Sequence, residues 1–229
     1  APTGNRIGVT QGRQFKMPDG TTGDTIHAVI VDYGAKKAYY PGAFDRDNIV
    51  PPTCFAIDPV GTFKPCSLTP SPNSPVIQSE GGCAECERNA WVPLPNNPQK
   101  KRKACKDQYV LALLPLDADA STELMTLELS PTAVKDFDAY ISRVGKDFGP
   151  PYIVATTFVM DPKSEYASVR CINPVKADNS LIMLAYNQRE AAVKLLSIEP
   201  DVSGYEEAVV EKVKTSTKLV APRTTRARA

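Results

Sequence analysis

The stretch TIHAVIVDYGAKKAYY (residues 25–40) decides the fold, because β-branched and aromatic residues are concentrated in it. Gly34 divides the stretch, so we predict strands over 25–33 and 35–40. Upstream, residues 13–17 form another strand-like run that ends at a Pro-Asp-Gly turn (18–20). The pattern predicts an antiparallel meander at the start of the chain.

Two further hairpins and one helix follow along the chain. Residues 109–116 and 123–129 flank a polar DADAST turn, and residues 152–160 and 165–172 flank DPKS. Between these hairpins, Ser130 and Pro131 open a helix whose apolar face is Val134, Phe137, Ile141 and Val144. The resulting six to seven strands predict an α+β fold with an OB-like antiparallel barrel or half-barrel, although the count fits other β-rich sheets as well.

The domain boundaries follow from composition. We predict a β-rich core over 1–180, interrupted at about 51–107 by a Pro-rich insert. Two capping-box pairs, Asn187 with Glu190 and Ser203 with Glu206, predict C-terminal helices within 181–213. The remaining residues, 214–229, carry five cations and no acid and are expected to be a flexible basic tail.

The charge and hydropathy of the chain limit its partners. The net charge is +1 over 229 residues, so any affinity for nucleic acid must come from local patches. No apolar run approaches the roughly 18 residues that span a bilayer, and the N-terminus lacks the basic-then-apolar pattern of a secretion signal. We therefore expect a cytoplasmic protein without a membrane partner.

The insert contains most of the cysteines. Cys83 and Cys86 have the two-residue spacing that lets both thiolates reach one zinc ion from a tight turn. Cys54 and Cys105 stand at loop-to-strand junctions and could complete a site of four thiolates, with Cys66 as a substitute for Cys54. Such a site has no open coordination position, so one structural zinc per chain would order the insert. Cys171 alternates with Val169 in an apolar strand, which indicates a buried small residue.

Two other chemistries would use the same cysteines. A redox pair needs a helix after Cys-x-x-Cys to lower a thiol pKa, but glycines precede this pair and prolines follow it soon after. Disulfides fit the even number of six cysteines, but a chain of this length does not need them to stabilise its core. Both remain alternatives to zinc.

The insert also presents cations beside aromatic side chains, as a groove for single-stranded nucleic acid does. The alternative is that the tyrosines pack into the core, the tryptophan plugs the zinc loop and the lysines are only solvated. Proteins that bind duplex DNA usually place a basic helix in a groove. Neither the cations at 100–106 nor those at 214–229 lie on a segment with a convincing helical pattern. The candidate nucleic-acid-binding residues are Lys100, Lys101, Arg102, Lys103, Lys106, Arg88, Tyr39, Tyr40 and Trp91.

Motifs for catalysis are sparse. His27 is the only histidine, lies within a predicted strand and is expected to be packed there, so a multi-histidine metal centre is excluded. The chain has no Walker loop, no dinucleotide glycine fingerprint and no deaminase motif. We therefore expect a protein that is not an enzyme.

Four motifs together resemble a family of tailed-bacteriophage early proteins that are described as single-stranded-DNA-binding or replication-associated. The motifs are YYPGAFD (39–45), PPTC (51–54), CAECERNAW (83–91) and KKRKACKD (100–107). The resemblance implies a metal role for Cys54, Cys83, Cys86 and Cys105. It also implies single-stranded DNA as partner, phage replication proteins as further candidates, and the host-cell cytoplasm as location.

The chain departs from that family at two points. Cys66 is an additional thiol, and the C-terminus is basic, whereas many single-strand-binding proteins end in an acidic tail that recruits partners. A second hypothesis therefore stays open, in which the zinc insert of a non-enzymatic or virion-associated module binds another protein.

Overall fold

The central element is one unbroken strand where the sequence suggested two. The computed structural model describes residues 5–10, 12–42, 50–164 and 167–205, and within it strand β4 runs from Thr25 to Tyr39. Gly34 is not a turn but lies inside the strand opposite Val110. The prediction of two strands around Gly34 is therefore wrong, because the glycine accommodates a close backbone neighbour and does not end the strand.

Besides β4, the described residues form ten strands and three α-helices. The strands are β1 (Arg6–Val9), β2 (Phe15–Lys16), β3 (Thr22–Gly23), β5 (Cys54–Asp58), β6 (Val92–Leu94), β7 (Asn97–Arg102), β8 (Cys105–Pro115), β9 (Met125–Leu129), β10 (Val154–Met160) and β11 (Val169–Lys176). The helices are α1 (Val134–Asp147), α2 (Asn179–Asn187) and α3 (Arg189–Leu196).

Nine of the strands form one strongly curled sheet, a half-barrel. Eight follow the order β11-β10-β4-β8-β9-β1-β2-β3, and β5 pairs with the second half of β4. Most pairs are antiparallel, but β1 and β9 are parallel. The fold is α+β, as predicted, and the two predicted hairpins appear as β8–β9 and β10–β11.

The two faces of the sheet are covered by different elements. On one face, here called face A, helix α1 packs Phe137, Tyr140 and Val144 onto the strands, and Leu68 and Cys83 of the insert join the same core. On the opposite face, face B, α2 and α3 cover a second core that includes Val29 and Leu114. Helix α1 confirms the prediction from its apolar periodicity.

A bulge in β4 keeps both faces apolar. The register with β8 shifts between Ile30 and Asp32, so that Val31 packs in the core of face B while Asp32 lines a cavity beside α3 on that face. Beyond the bulge, Tyr33 and Ala35 return to face A. Lys37 and Tyr39 follow on face A by strand alternation.

The insert has more regular structure than its prolines suggested. Strand β5 lies at its start and the separate hairpin β6–β7 near its end, with 3-10 turns at Pro65–Ser67 and Glu87–Asn89 between them. At the C-terminus, α3 begins after Asn187, and α2 precedes it. Residues 206–229, which contain most of the second predicted C-terminal helix and the whole basic tail, lie outside the described residues.

None of the helices in the described ranges combines the length and the apolar character needed to cross a bilayer.

Gly34 provides a test of this packing. A Cβ atom there would lie 2.8 Å from the carbonyl oxygen of Asp58 and 3.2 Å from Cα of Pro59. We expect Gly34→Ala to displace the end of β5 and to lower the free energy of unfolding by about 1–3 kcal/mol in chemical denaturation. The control is Gly145→Ala on α1, where a Cβ has no heavy atom within 4 Å. It should leave stability unchanged or raise it by up to about 1 kcal/mol, and an equal loss in both variants would contradict the packing argument.

Candidate metal and nucleic-acid site

Two of the predicted metal ligands flank the end of β4. Cys54 is the first residue of β5 and Cys105 the first residue of β8, and both are direct register partners of Tyr39, one on each side. Cross-strand partners project from the same face of a sheet, so both thiols lie on face A beside Tyr39. Both cysteines are buried.

The other two predicted ligands lie on a tight turn of the insert that covers this end of the sheet. The Cys86 backbone N–H donates to the carbonyl of Cys83 at 3.4 Å, and Gly82 before the turn has φ +95°. Cys83 is buried in the core of face A, and its N–H donates to the carbonyl of Leu68. Only a three-residue 3-10 turn follows, so the helix that a redox pair would need is missing here.

Electrostatic coupling shows that the four thiols share one neighbourhood. The pKa of Cys83 is raised to about 11, mainly by burial and to a smaller extent by the thiols of Cys54 and Cys86. Burial likewise raises the pKa of Cys105 to about 12, with contributions from Cys83 and Cys54. In both cases the ammonium of Lys37 acts in the opposite direction and lowers the pKa.

The thiols of the two remaining cysteines do not belong to this group, although the carbonyl of Cys66 lies beside it. Cys66 is exposed, with its Sγ 3.7 Å from Ser67 Oγ, and it does not contribute to the pKa of Cys83 or Cys105. Cys171 lies on β11, where it packs against the core of face A. The thiols of the four predicted ligands thus influence one another electrostatically, and the thiol of the substitute Cys66 is not among these influences.

The four thiols do not form a ready-made metal site. All six cysteines are free, and in the described ranges no three Cys, His, Asp or Glu side chains are arranged to hold an ion. The donor set nevertheless has the chemistry that zinc selects, namely soft sulfur ligands in a largely buried setting. The residues fit zinc by type and neighbourhood.

A hydrogen-bonded hub connects this cluster to the strands. The side-chain oxygen of Asn89 accepts from Lys37 Nζ at 2.7 Å and from Lys103 Nζ at 2.9 Å. Its nitrogen donates to the carbonyl of Cys83 at 2.7 Å and to that of Cys66 at 3.3 Å. Both lysines also form ion pairs with Asp107. Asn89 therefore ties the Cys-x-x-Cys turn to β4 and β8 with its full hydrogen-bonding capacity.

The hub was not predicted from the sequence, although one indication was present. Lys37 occupies an inward position of β4, two residues before Tyr39, and its side chain is only 1% exposed. A lysine on the covered face of a central strand needs an acidic partner in the interior. Its register partner on β8 is Asp107, which lies too far along the chain for local patterns to reveal.

Most of the predicted basic cluster lies on a projecting ribbon. Strands β6 and β7 pair only with each other, and every residue of β7 is exposed. Lys100, Lys101 and Arg102 are on β7, and no ion pair holds any of them within the described part of the chain. The hairpin therefore presents three cations to solvent.

Trp91 and Lys103 form the root of this hairpin. Trp91 is 63% exposed, and Lys103 Nζ lies 5.3 Å from the centre of its ring. Lys103 differs from the other cations of the run, because its ammonium is buried against Asp107 and Asn89. Nearby on face A, the guanidinium of Arg88 lies 5.3 Å from the ring centre of Tyr39.

Tyr40 and Lys106 are placed on the other side of the sheet. Tyr40 follows Tyr39 and Lys106 follows Cys105, so strand alternation directs both side chains to face B. Lys106 Nζ lies 5.9 Å from the Tyr40 ring centre. The pKa of Tyr40 is raised, first by burial and then by Glu128, a residue of the cavity on face B. The predicted nucleic-acid residues are therefore divided between two faces, and only those on face A adjoin the cysteines.

His27 also differs from its expected packed state. It lies on β4 but is exposed, and its Nδ1 is 3.1 Å from Thr157 Oγ1 on β10. No acid or cysteine is paired with it in an interaction that the structure describes.

A scan against protein-family models finds no match, and neither the search of curated proteins nor that of solved structures returns one.

Proposed function

We propose that this protein binds single-stranded DNA without catalysing a reaction, and that a structural zinc orders its binding surface. One observation carries the proposal: the β6–β7 hairpin presents Lys100, Lys101 and Arg102 to solvent, and the exposed Trp91 comes immediately before Val92, the register partner of Arg102. Cations that follow a phosphate backbone next to a ring that can stack on a base are the two components of single-strand binding.

The surface proposed to bind the DNA strand lies on the side of face A. Because α1 and the insert cover face A, the curled, OB-like sheet would support this surface from beneath, with the hairpin as one wall and the exposed Arg88, stacked on Tyr39, further in. Lys103 is assigned a different role from the other cations, because its ion pair with Asp107 leaves it unavailable to phosphate. Tyr40 and Lys106 lie on face B and would contact the DNA only if the DNA strand passed around the end of the sheet.

Zinc is proposed to hold the insert in place. Cys54, Cys83, Cys86 and Cys105 would bind one ion per chain, which would fix the Cys-x-x-Cys turn and, through Asn89 and Lys103, the root of the hairpin. The metal would supply folding energy and no reaction chemistry. The proposed setting is phage DNA replication, recombination or repair in the host cytoplasm, with replication proteins as further partners.

A protein-binding role is the second candidate. Trp91 and Val92 at the base of the hairpin are 63% and 47% exposed, which is unusual for large apolar side chains and is compatible with a protein contact. Single-strand binding depends steeply on salt, whereas an apolar protein contact does not, so the two roles separate in one titration.

The metal is tested by zinc content. We expect one zinc per chain in protein purified under reducing conditions, and we expect Cys83→Ser to lose it and to increase proteolysis within residues 59–104. Cys66→Ser and Cys171→Ser are matched controls outside the cluster and should keep the ion. Parent protein without zinc, or equal loss in all three variants, would refute the four-thiolate assignment.

The charge contribution is tested on the hairpin. Replacing Lys100, Lys101 and Arg102 by Ala should weaken binding to oligonucleotides of any sequence and flatten the dependence of log K on log salt. The expected change in slope is up to about 0.7 per lost phosphate contact. The matched control replaces three exposed lysines on other elements, Lys146, Lys176 and Lys194. If both triple variants bind as the parent does at low and high salt, the single-strand proposal fails and the protein-binding candidate takes its place.

The stacking contribution is tested at Trp91. Because the ring is largely exposed, Trp91→Ala should leave the melting temperature nearly unchanged. It should cost about 1–3 kcal/mol of binding free energy with little change in the salt slope. Trp91→Phe should recover part of the loss. A Trp91→Ala variant that melts earlier but binds normally would instead show that the ring is a structural plug.

A further inference from the structure

The cysteine cluster adjoins an excess of buried positive charge. Lys37 and Lys103 have side chains that are 1% and 9% exposed, and Asp107 is the one carboxylate within ion-pair distance of either in the described part of the chain. Two ammonium groups against one carboxylate leave one unit of positive charge. Asn89 satisfies hydrogen bonds of both lysines but is neutral.

An uncompensated buried charge is costly, so this arrangement calls for a further anion. The cysteines adjoin these lysines, because Asn89 joins Lys37 Nζ to the carbonyl of Cys83, and Cys105 lies on β8 two residues before Asp107. Neutral thiols would leave the charge of the lysines unbalanced. Four thiolates on a divalent ion, in contrast, carry a net charge of −2 and are deprotonated by the metal itself.

We infer that the cluster binds a divalent metal as a complete tetrathiolate dianion, for which Lys37 and Lys103 are the buried counter-cations and positioning residues. Arg88, held over the Tyr39 ring between Cys54 and Cys105, supplies a third positive group on the same face. With these residues the site becomes electrically neutral. The inference rests on the proposed zinc site but not on DNA binding.

A counter-cation and a residue that only supports the fold are distinguished by the direction in which charge removal changes metal affinity. Removing a cation should weaken metal binding, while removing the competing anion should strengthen it, because Asp107 already neutralises one lysine. A residue that only supported the fold would weaken metal binding whichever charge was removed. Opposite shifts in two variants of the same hub therefore identify electrostatic compensation.

The experiment measures metal affinity and thiolate number in the full chain. Metal-free protein is titrated with Co²⁺ under reducing conditions, and the sulfur-to-cobalt charge-transfer intensity counts the thiolates. We expect four thiolates in the parent, a 10- to 100-fold weaker affinity in Lys37→Met, and a tighter affinity in Asp107→Asn. The control is Lys36→Met, whose lysine pairs with Glu128 at 3.6 Å and lines a cavity on face B, and it should bind Co²⁺ as the parent does.

Each result decides the inference. Fewer than four thiolates, no Co²⁺ binding, or shifts of the same sign in Lys37→Met and Asp107→Asn would overturn it. If Lys37→Met cannot be purified folded, Lys103→Met gives the same test from the less buried lysine. A parent that binds Co²⁺ as expected but no oligonucleotide would defeat the proposed function and leave this inference intact.

Discussion

Strand β4 constrains the whole architecture, because it is hydrogen-bonded along both edges. On one side it pairs with β8 over almost its full length, and on the other first with β10 and then with β5. A strand held in this way has no freedom of register. The faces assigned to Lys37, Tyr39 and their neighbours on β5 and β8 all follow from the pairing of this one element.

The site combines two surfaces with opposite properties. Around Asn89 the polar groups are buried and hydrogen-bonded to one another, so that part of the insert is fixed to the sheet. The β6–β7 hairpin makes no strand pairing with the sheet, and its cations face solvent. Lys103 connects the exposed hairpin to the buried polar group around Asn89, since it follows β7 directly and forms an ion pair with Asp107. A fixed root and an exposed ribbon are what the proposed binding surface would require.

Local patterns predicted the elements that depend only on residues close by in the chain. Helix α1 and the hairpins β8–β9 and β10–β11 could be predicted because their periodicity and turns lie within short segments. The division of β4 was wrong because Gly34 is explained by Asp58, which is distant in sequence. Lys103 and Asp107 are only four residues apart, but the setting of their ion pair depends on Lys37 of β4, which is distant in sequence. The two-residue spacing selected Cys83 and Cys86, whereas the lysines and the asparagine beside them depend on the sheet pairing.

The register pairing of Tyr39 with Cys105 also bears on how the chain folds. Residues 40–104 separate the two partners, so β4 and β8 cannot pair there until this stretch has closed into a loop. Contacts of such large sequence separation slow folding. An ion that joined Cys54 to Cys83 would shorten this loop before the strands meet. Metal supply during synthesis would then set how long the apolar edge of β4 stays exposed to aggregation.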